Sequence, residues 1–170
     1  GTQPTEFNDL KADLRALPVM AETIGRVHIG FKTEVDDIWP MIEEDINRKT
    51  NVSKTLWFCG HSLGAAMATI MASRAKQNVE LNDPIELFTY GSPRVGWRKY
   101  VNSLDVVHHR WKNNNDIVTT VPLLIMGFKH HGTQHYLNAY GQVRNPTGWQ
   151  MLKDKWRGIW MGALKGKIDN

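Results

Sequence analysis

The stretch Thr55–Ala66, TLWFCGHSLGAA, decides the fold of this 170-residue chain. Its first part, Thr55–Cys59, is apolar with β-branched and aromatic side chains, which is typical of a buried strand. Its second part opens a series of apolar and small residues at helical spacing, beginning at Leu63. Between the two, Gly60-His61-Ser62-Leu63-Gly64 fits the pattern Gly-x-Ser-x-Gly, so a serine lies at a tight turn from a strand into a helix.

A serine in this context is typical of a nucleophile elbow. Such a turn projects the hydroxyl from the carboxyl end of the sheet, and the helix start aims backbone N–H groups at the same place. We expect glycine to be required at both Gly60 and Gly64, because the turn is tight. The alternative is an ordinary glycine-rich turn in which Ser62 only caps the helix. The sequence favours Ser62 as a catalytic nucleophile.

Strands and helices alternate around this stretch. Since a strand–helix–strand order implies right-handed crossovers, we expect an α/β fold with a mostly parallel central sheet. A helix over 33–48 is predicted to start near Thr33 and to kink or start late at Pro40. The other predicted elements are strands at Ile85–Tyr90 and Val106–Trp111, a short helix at Trp97–Leu104, a hairpin over Gln134–Arg144 and a helix over 149–164.

A nucleophilic serine needs a base, and the base needs an acid to orient it. Chemistry in parallel sheets lies outside the carboxyl ends of the strands. Asp83 and Asp105 each precede a strand and so lie at the wrong end, whereas Asp116 follows the third strand. The sequence therefore favours Asp116 as the orienting acid. The alternative is an Asx-turn residue that stabilises its own loop.

The base is less evident, although the chain has seven histidines. By chain order His130, His131 and His135 follow Asp116, but they come early for the last catalytic loop. The base is therefore either one of these three or absent from this chain. His131 and His135 also have the i,i+4 spacing of a metal site, without the glutamate of His-Glu-x-x-His. We interpret them instead as residues of a polar, partly buried loop and strand, and expect no metal.

Composition excludes several classes of protein. Hydrophobic residues make up 41% and charged residues 22%, as in a globular domain. No apolar run approaches the ~20 residues of a membrane-spanning helix, so we expect no transmembrane segment. The single cysteine, Cys59, excludes an internal disulfide and a multi-cysteine zinc site. The net charge is +4, but the basic residues are scattered, so we expect no nucleic-acid partner. We also expect no cofactor.

Taken together, these residues resemble class 3 lipases, the fungal-type triacylglycerol lipases of the α/β-hydrolase fold, which also have bacterial relatives. Thr55–Ala66 is similar to the family's elbow, except that Ala65 stands where a second glycine is usual. Further blocks match in the family's order. They are Val27–Phe31, Tyr90–Gly96, Asn115–Val118 with Pro122, and Phe128–Gly132. The resemblance covers about residues 1–140 and implies helices on both faces of the sheet; we expect a bacterial member.

The resemblance implies a carboxylic-ester hydrolase, in particular a triacylglycerol lipase that forms an acyl-enzyme on Ser62. Asp116 would orient the base, and the oxyanion would be bound by the Leu63 N–H and by Thr2. The implied partner is a lipid or small ester at a lipid–water interface. A phospholipase or acyltransferase, or a binding module without its base, is the alternative.

The resemblance also implies where the chain stands within the family. Thr5–Leu10 would fall where the family carries its lid, and the catalytic histidine would follow Asn170. We therefore expect residues 1–170 to be one hydrolase core that is cut at both ends. Relatives of this kind are secreted, which favours secretion here.

Overall fold

The computed structural model describes residues 17–114, 116–138, 140–144, 147, 149–150, 153–154 and 156. Strands and helices alternate through most of this part of the chain. In order they are β1 (Pro18–Met20), β2 (Arg26–His28), α1 (Ile29–Asn47), β3 (Leu56–His61), α2 (Leu63–Gln77), β4 (Pro84–Tyr90), β5 (Gly96–Trp97), α3 (Arg98–Ser103), β6 (Val107–Asn113), two 3₁₀ turns (Val118–Thr120 and Leu124–Met126), β7 (Phe128–Lys129), β8 (Thr133–Leu137) and β9 (Val143–Arg144).

The main sheet has the strand order β3-β4-β6-β8-β9. Its first four strands pair in parallel and β9 is antiparallel to β8, so the predicted parallel sheet and the predicted hairpin are confirmed. In the register, His61 lies opposite Tyr90, and Tyr90 lies opposite Trp111. Because these strands are parallel, their carboxyl ends meet at one edge of the sheet, and the residues that follow them lie close together.

A second, smaller sheet joins β1, β2, β5 and β7 in antiparallel order. Its strands have two or three residues each. Runs this short carry little periodicity, which is why the sequence analysis did not predict this sheet. Val27 of β2 is fully buried and joins the core.

Helix α2 packs directly on the main sheet because its inner side is made of small residues. Ala65, Ala66, Ala72 and Ala75 have no exposed surface, and Ala66 and Ala72 join the core that includes Phe58. Small side chains let the helix backbone approach the strands closely. The methyl group of Ala65, where the family usually has glycine, is fully buried in this contact.

Helix α1 packs on α2 through Phe31, Val35 and Trp39. It begins four positions earlier than the predicted start at Thr33, so that prediction was wrong. The reason is the cap: His28 Nδ1 accepts a hydrogen bond from the Gly30 N–H at 3.1 Å and satisfies one of the free donors of the first turn. The helix also continues through Pro40 to Asn47.

The two faces of the main sheet differ. Helix α2 covers the face that carries Phe58 and Leu87, and α1 packs on the outside of α2. On the other face the side chains of Trp57, Tyr90 and Val107 are 53%, 47% and 58% exposed. We call this second side the aromatic face. Its stacked rings are Trp57, Phe88, Tyr90, His109, Trp111 and His135.

The prediction that Thr55–Cys59 forms a buried strand therefore holds for Phe58, whereas Trp57 and Cys59 are exposed on the aromatic face. The described residues 149–150, 153–154 and 156 are helical, in agreement with the predicted helix over 149–164. The rest of that predicted helix lies outside the described residues. Within the described ranges, the helices are too short or too polar to cross a bilayer.

Candidate active site

Ser62 occupies the turn between β3 and α2 in a strained backbone conformation. Its φ is +54° and its ψ is −123°, and it is the one non-glycine residue with positive φ in the described part of the chain. Such conformations cost about 1–3 kcal/mol and persist where the surroundings hold them. Here the Ser62 N–H donates to the Tyr90 carbonyl at 3.0 Å, which ties the turn to β4.

Glycine is required at one side of this turn and not at the other. A Cβ atom at Gly60 would lie 2.3 Å from the Gly64 carbonyl oxygen and 2.5 Å from its carbon, which no side chain tolerates. A Cβ atom at Gly64 would meet nothing within 4 Å. The expectation that the turn demands glycine at both positions is therefore correct for Gly60 and wrong for Gly64 as far as packing is concerned.

The hydroxyl of Ser62 is not used by the helix that follows it. Ser62 stands at the N-cap position of α2, yet its side chain makes no capping hydrogen bond. The alternative of a merely capping serine is therefore not what the structure shows. Leu63 is the first residue of α2, and its N–H has no acceptor within the helix, so it can donate to an anion beside the serine.

Asp116 lies beside the carboxyl ends of β3 and β4. A Cβ atom at Gly91, the residue after β4, would be 2.6 Å from Asp116 Oδ2 and 3.7 Å from His61 Nε2. Gly91 has a φ of +58°, and its N–H donates to the Trp111 carbonyl at 2.9 Å. The missing side chain at Gly91 thus lets the Asp116 carboxylate approach the end of β3, one residue from Ser62.

The two oxygens of Asp116 have different surroundings. Oδ1 accepts the Val118 N–H at 3.0 Å, which is the Asx-turn arrangement that the sequence analysis kept as an alternative. Oδ2 is the oxygen that faces Gly91. The Asx turn therefore orients the carboxylate without occupying both of its oxygens.

The segment 116–122, which we call the acid loop, is fixed by side chains from two other elements. The Thr119 hydroxyl donates to the Asp116 carbonyl at 2.9 Å. His130 Nε2 lies 2.8 Å from the Thr119 carbonyl oxygen, so this nitrogen carries the hydrogen and donates. Arg94 Nη1 donates to the Pro122 carbonyl at 2.7 Å and to the Thr120 carbonyl. These contacts hold Asp116 in place.

The three histidines considered as the base are engaged elsewhere. His130 contacts the Thr119 carbonyl, His131 Nδ1 lies 3.1 Å from His108 Nδ1, and His135 Nε2 lies 3.0 Å from His109 Nδ1. In the described part of the chain, no hydrogen bond joins any of the three to Ser62 or Asp116. Burial, reinforced by the nearby Arg110, lowers the pKa of His130 to about 3, which suits a neutral donor better than a base.

The metal interpretation of His131 and His135 finds no support in their positions. His131 pairs with His108 on the side of the sheet that the helices cover, whereas His135 stacks on Trp111 on the aromatic face at 4.7 Å between ring centroids. Among the residues that the structure describes, no three His, Cys, Asp or Glu side chains form a group suited to a metal ion.

Thr2, which the resemblance implies as an oxyanion donor, lies outside the described residues, as does the Thr5–Leu10 segment. The structure also shows three contributors that the sequence analysis missed: His61 beside Asp116, Gly91 beneath the carboxylate, and Arg94 behind the acid loop. The sequence signal for Gly91 and Arg94 is the block Tyr90–Gly96, which contains both.

Comparison with known proteins agrees with this geometry. The family described as Lipase (class 3) matches residues 1–126. Toxin TseL of Vibrio cholerae is 32% identical over 132 residues, which are 75% of this chain and 20% of TseL. Secreted mono- and diacylglycerol lipase 1 of Fusarium solani is 29% identical over 118 residues, 66% of this chain and 34% of that lipase.

A solved triacylglycerol lipase, described as having a serine protease triad as its catalytic centre, superposes with a TM-score of 0.68 at 27% identity. The match covers 80% of this chain and 56% of that one, so the chain spans little more than half of this solved relative. The matched fold is the α/β-hydrolase fold, with Ser62 at the turn expected of its nucleophile. On the family match and these relatives together, the chain belongs to the class 3 lipase family.

Proposed function

We propose that the protein hydrolyses carboxylic esters of lipids, in particular acylglycerols, through an acyl-enzyme on Ser62. The observation that carries the proposal is the strained elbow, where the Ser62 hydroxyl is not used as a cap and the Asp116 carboxylate lies against Gly91, beside the end of β3. Strain of this kind concentrates at functional sites. The named activities of the relatives, a mono- and diacylglycerol lipase and a triacylglycerol lipase, support the substrate class.

In the proposed reaction, the Ser62 oxygen attacks the ester carbonyl while a histidine base takes its proton. The C–O bond to the alcohol breaks, the base returns the proton to the leaving alcohol, and water then cleaves the acyl-enzyme. The Leu63 N–H would stabilise the oxyanion, with Thr2 as the second proposed donor. Removing one such donor costs about 100- to 1,000-fold in rate. Asp116 would orient the histidine and stabilise its charged form.

The nucleophile is tested with a fluorophosphonate probe and a chromogenic ester, in the longest native product that carries the chain. We expect the probe to label the protein and its Ser53→Ala variant, which removes an exposed serine outside the elbow. Ser62→Ala should lose both labelling and ester turnover. Unchanged turnover in Ser62→Ala would disprove the assignment, and absence of labelling in the wild type would favour a binding role without catalysis.

The acid is tested with Asp116→Asn, which keeps the size of the side chain and removes its charge. Because an uncharged partner holds the histidine in the wrong tautomer, we expect turnover to fall between about a hundred- and ten-thousandfold. Asp105→Asn is the matched control, since its side chain is 93% exposed and it precedes β6 at the opposite end of the sheet. Equal turnover in the two variants would remove Asp116 from the mechanism.

The base is assigned with His130→Gln, His131→Gln and His135→Gln. If all three variants keep their turnover, the base is a different residue. We expect the 170-residue chain on its own to be nearly inactive, because none of the three contacts Ser62 by a hydrogen bond in the described structure. Robust hydrolysis by the chain, lost in one variant, would identify that histidine as the base.

A panel of acylglycerols, phospholipids and acyl acceptors separates the lipase from a phospholipase or acyltransferase on the same scaffold. Secretion is proposed as well, since the Fusarium solani relative is named as a secreted lipase.

A further inference from the structure

A groove lies over the smaller sheet, away from the residues that form the elbow. Its volume is about 650 Å³, and it is lined by Met20 of β1, by Trp97 of β5 and by Ile125 and Met126 of the turn Leu124–Met126, among others. None of its lining residues belongs to the turn at Ser62 or to the acid loop. The acid loop nevertheless leads directly into the turn that forms one wall.

That wall exposes apolar side chains that a water-soluble surface would normally cover. In the turn, no side chain is buried. The exposed fractions are 55% for Leu123, 54% for Leu124, 91% for Ile125 and 41% for Met126. Four adjacent apolar residues of this size, all open to solvent, are typical of a surface that contacts another apolar phase. Met20, 64% exposed, extends the same apolar surface across the groove.

The other lining side chains are cationic. Arg26, Arg98, Lys99 and Lys129 are all exposed around the groove, and no carboxylate is among the lining residues. None of the four forms an ion pair with a residue of the described structure, so their charge is not neutralised there. The Arg26 guanidinium lies 5.0 Å from the centre of the Trp97 ring, which keeps one of these charges at the groove.

We propose that this groove docks the protein on the surface of an anionic phospholipid bilayer. The exposed turn would enter the boundary between headgroups and acyl chains, and the four cations would contact the headgroup phosphates. Long basic side chains suit this arrangement because their stems lie along apolar surface while their charges stay in water. The inference deepens the proposed lipid hydrolysis by naming the surface on which it takes place.

Charge and apolarity together select this partner. A neutral lipid droplet offers the four cations no counter-charge, and a soluble polyanion offers the exposed leucine and isoleucine no apolar phase. A bilayer that contains phosphatidylglycerol offers both. The groove therefore predicts binding that depends on anionic lipid and on the apolar turn at the same time.

The test is cosedimentation with vesicles of phosphatidylcholine alone or mixed with phosphatidylglycerol, using the full chain that carries Ser62→Ala so that no lipid is consumed. We expect binding to the mixed vesicles and little to phosphatidylcholine alone. Lys99→Gln with Lys129→Gln should weaken binding by about 10- to 30-fold, since each cation near an anionic surface contributes about fivefold. The matched control is Lys49→Gln with Lys54→Gln, because both lysines are exposed and neither lines the groove.

The apolar contribution is tested by Ile125→Ser against Val79→Ser, because these side chains are 91% and 99% exposed. We expect only Ile125→Ser to weaken binding, and circular dichroism to show both variants folded. Equal binding to both kinds of vesicle, or equal loss in the groove and control variants, would overturn the inference. Hydrolysis of a short soluble ester, measured separately with Ser62 intact in the longest native product that carries the chain, shows whether the proposed function stands when vesicle binding does not.

Discussion

At the residue scale, the site depends on side chains that are absent as much as on those that are present. Gly60 is bare because the Gly64 carbonyl lies where its Cβ would be, and Gly91 is bare because the Asp116 carboxylate lies there. Ser62 accepts a strained φ of +54° between them. The position of the two functional groups therefore follows from packing against two glycines.

Replacing Gly91 with alanine should displace Asp116 and lower ester turnover. The new methyl group would lie 2.6 Å from Oδ2, and the φ of +58° adds backbone strain of about 1 kcal/mol. Gly141→Ala is the matched control, because its φ is +74° and its Cβ would meet nothing within 4 Å. We expect similar losses in the free energy of unfolding by urea denaturation, but loss of turnover in Gly91→Ala alone. Full turnover in Gly91→Ala would show that the carboxylate need not lie there.

The sequence was sufficient to place Ser62 and to select Asp116. A strand–turn–helix pattern is local, and so is the question of whether a residue precedes or follows a strand. The sequence was not sufficient to find Gly91, His61 or Arg94, which matter only through neighbours that are far along the chain. Their roles depend on which residues of β3, β4 and β6 lie opposite one another, and that pairing joins segments that are far apart in the sequence.

At the element scale, β6 and β8 are joined by histidines as well as by their backbones. His108 on β6 lies 2.7 Å from the Thr89 hydroxyl through Nε2 and contacts His131 through Nδ1. Burial, reinforced by the nearby His131, lowers the pKa of His108 to about 3, and burial has the same effect on His130. Both rings are therefore neutral in the folded protein at any pH well above 3.

This has a consequence for stability in acid. In the unfolded chain a histidine has a pKa near 6.5, so below that pH the unfolded state binds protons that the folded state does not. The free energy of unfolding should fall as the pH decreases from about 6.5 to about 3, and each of the two histidines contributes about 2 kcal/mol of loss between pH 7 and pH 5. We expect His130→Gln to reduce that loss by about 2 kcal/mol in urea denaturation.

The control for this experiment is Gln77→Asn, at an exposed amide in the last turn of α2. It adds and removes no titratable group, so the difference between pH 7 and pH 5 should equal that of the wild type. The same difference in His130→Gln and the wild type would mean that His130 titrates alike in the folded and unfolded chains.

The sequence predicted the elements of the main sheet more accurately than their ends. The apolar runs at β3, β4 and β6 were recognisable because each is five or more residues long. The start of α1 was misplaced because the cap is His28, and a histidine cap has no strong sequence signature. The short strands of the smaller sheet are stabilised by tertiary contacts that no local pattern reveals.

At the scale of the whole molecule, the core formed by the described residues lies on one side of the main sheet. The described helices α1 and α2 bury Phe58 and Leu87, while the aromatic face remains open in the described structure. The family resemblance implies helices on both faces of the sheet, and in the part of the chain that the structure describes α1 and α2 lie on one of them. The pattern of a strand alone does not distinguish its two faces, because aromatic and β-branched residues occur both on a buried face and on a stacked, exposed one.

Two valines allow the buried side of the main sheet to be compared with its exposed side. Val35 on α1 has no exposed surface, and Val107 on β6 is 58% exposed on the aromatic face. Val35→Ala should lower the free energy of unfolding by about 2 kcal/mol through lost burial and a residual cavity. Val107→Ala should cost less than about 1 kcal/mol, both measured by urea denaturation. An equal cost at the two positions would mean that Val107 is covered in the folded protein.

The aromatic face also contains the single thiol of the chain. Cys59 is exposed on β3, paired in register with Phe88 and two residues from Trp57. A maleimide dye would therefore attach at one known point, three residues before Ser62, without any engineered substitution. The rate at which this thiol reacts with the dye would measure how far a bound molecule covers that side of the sheet.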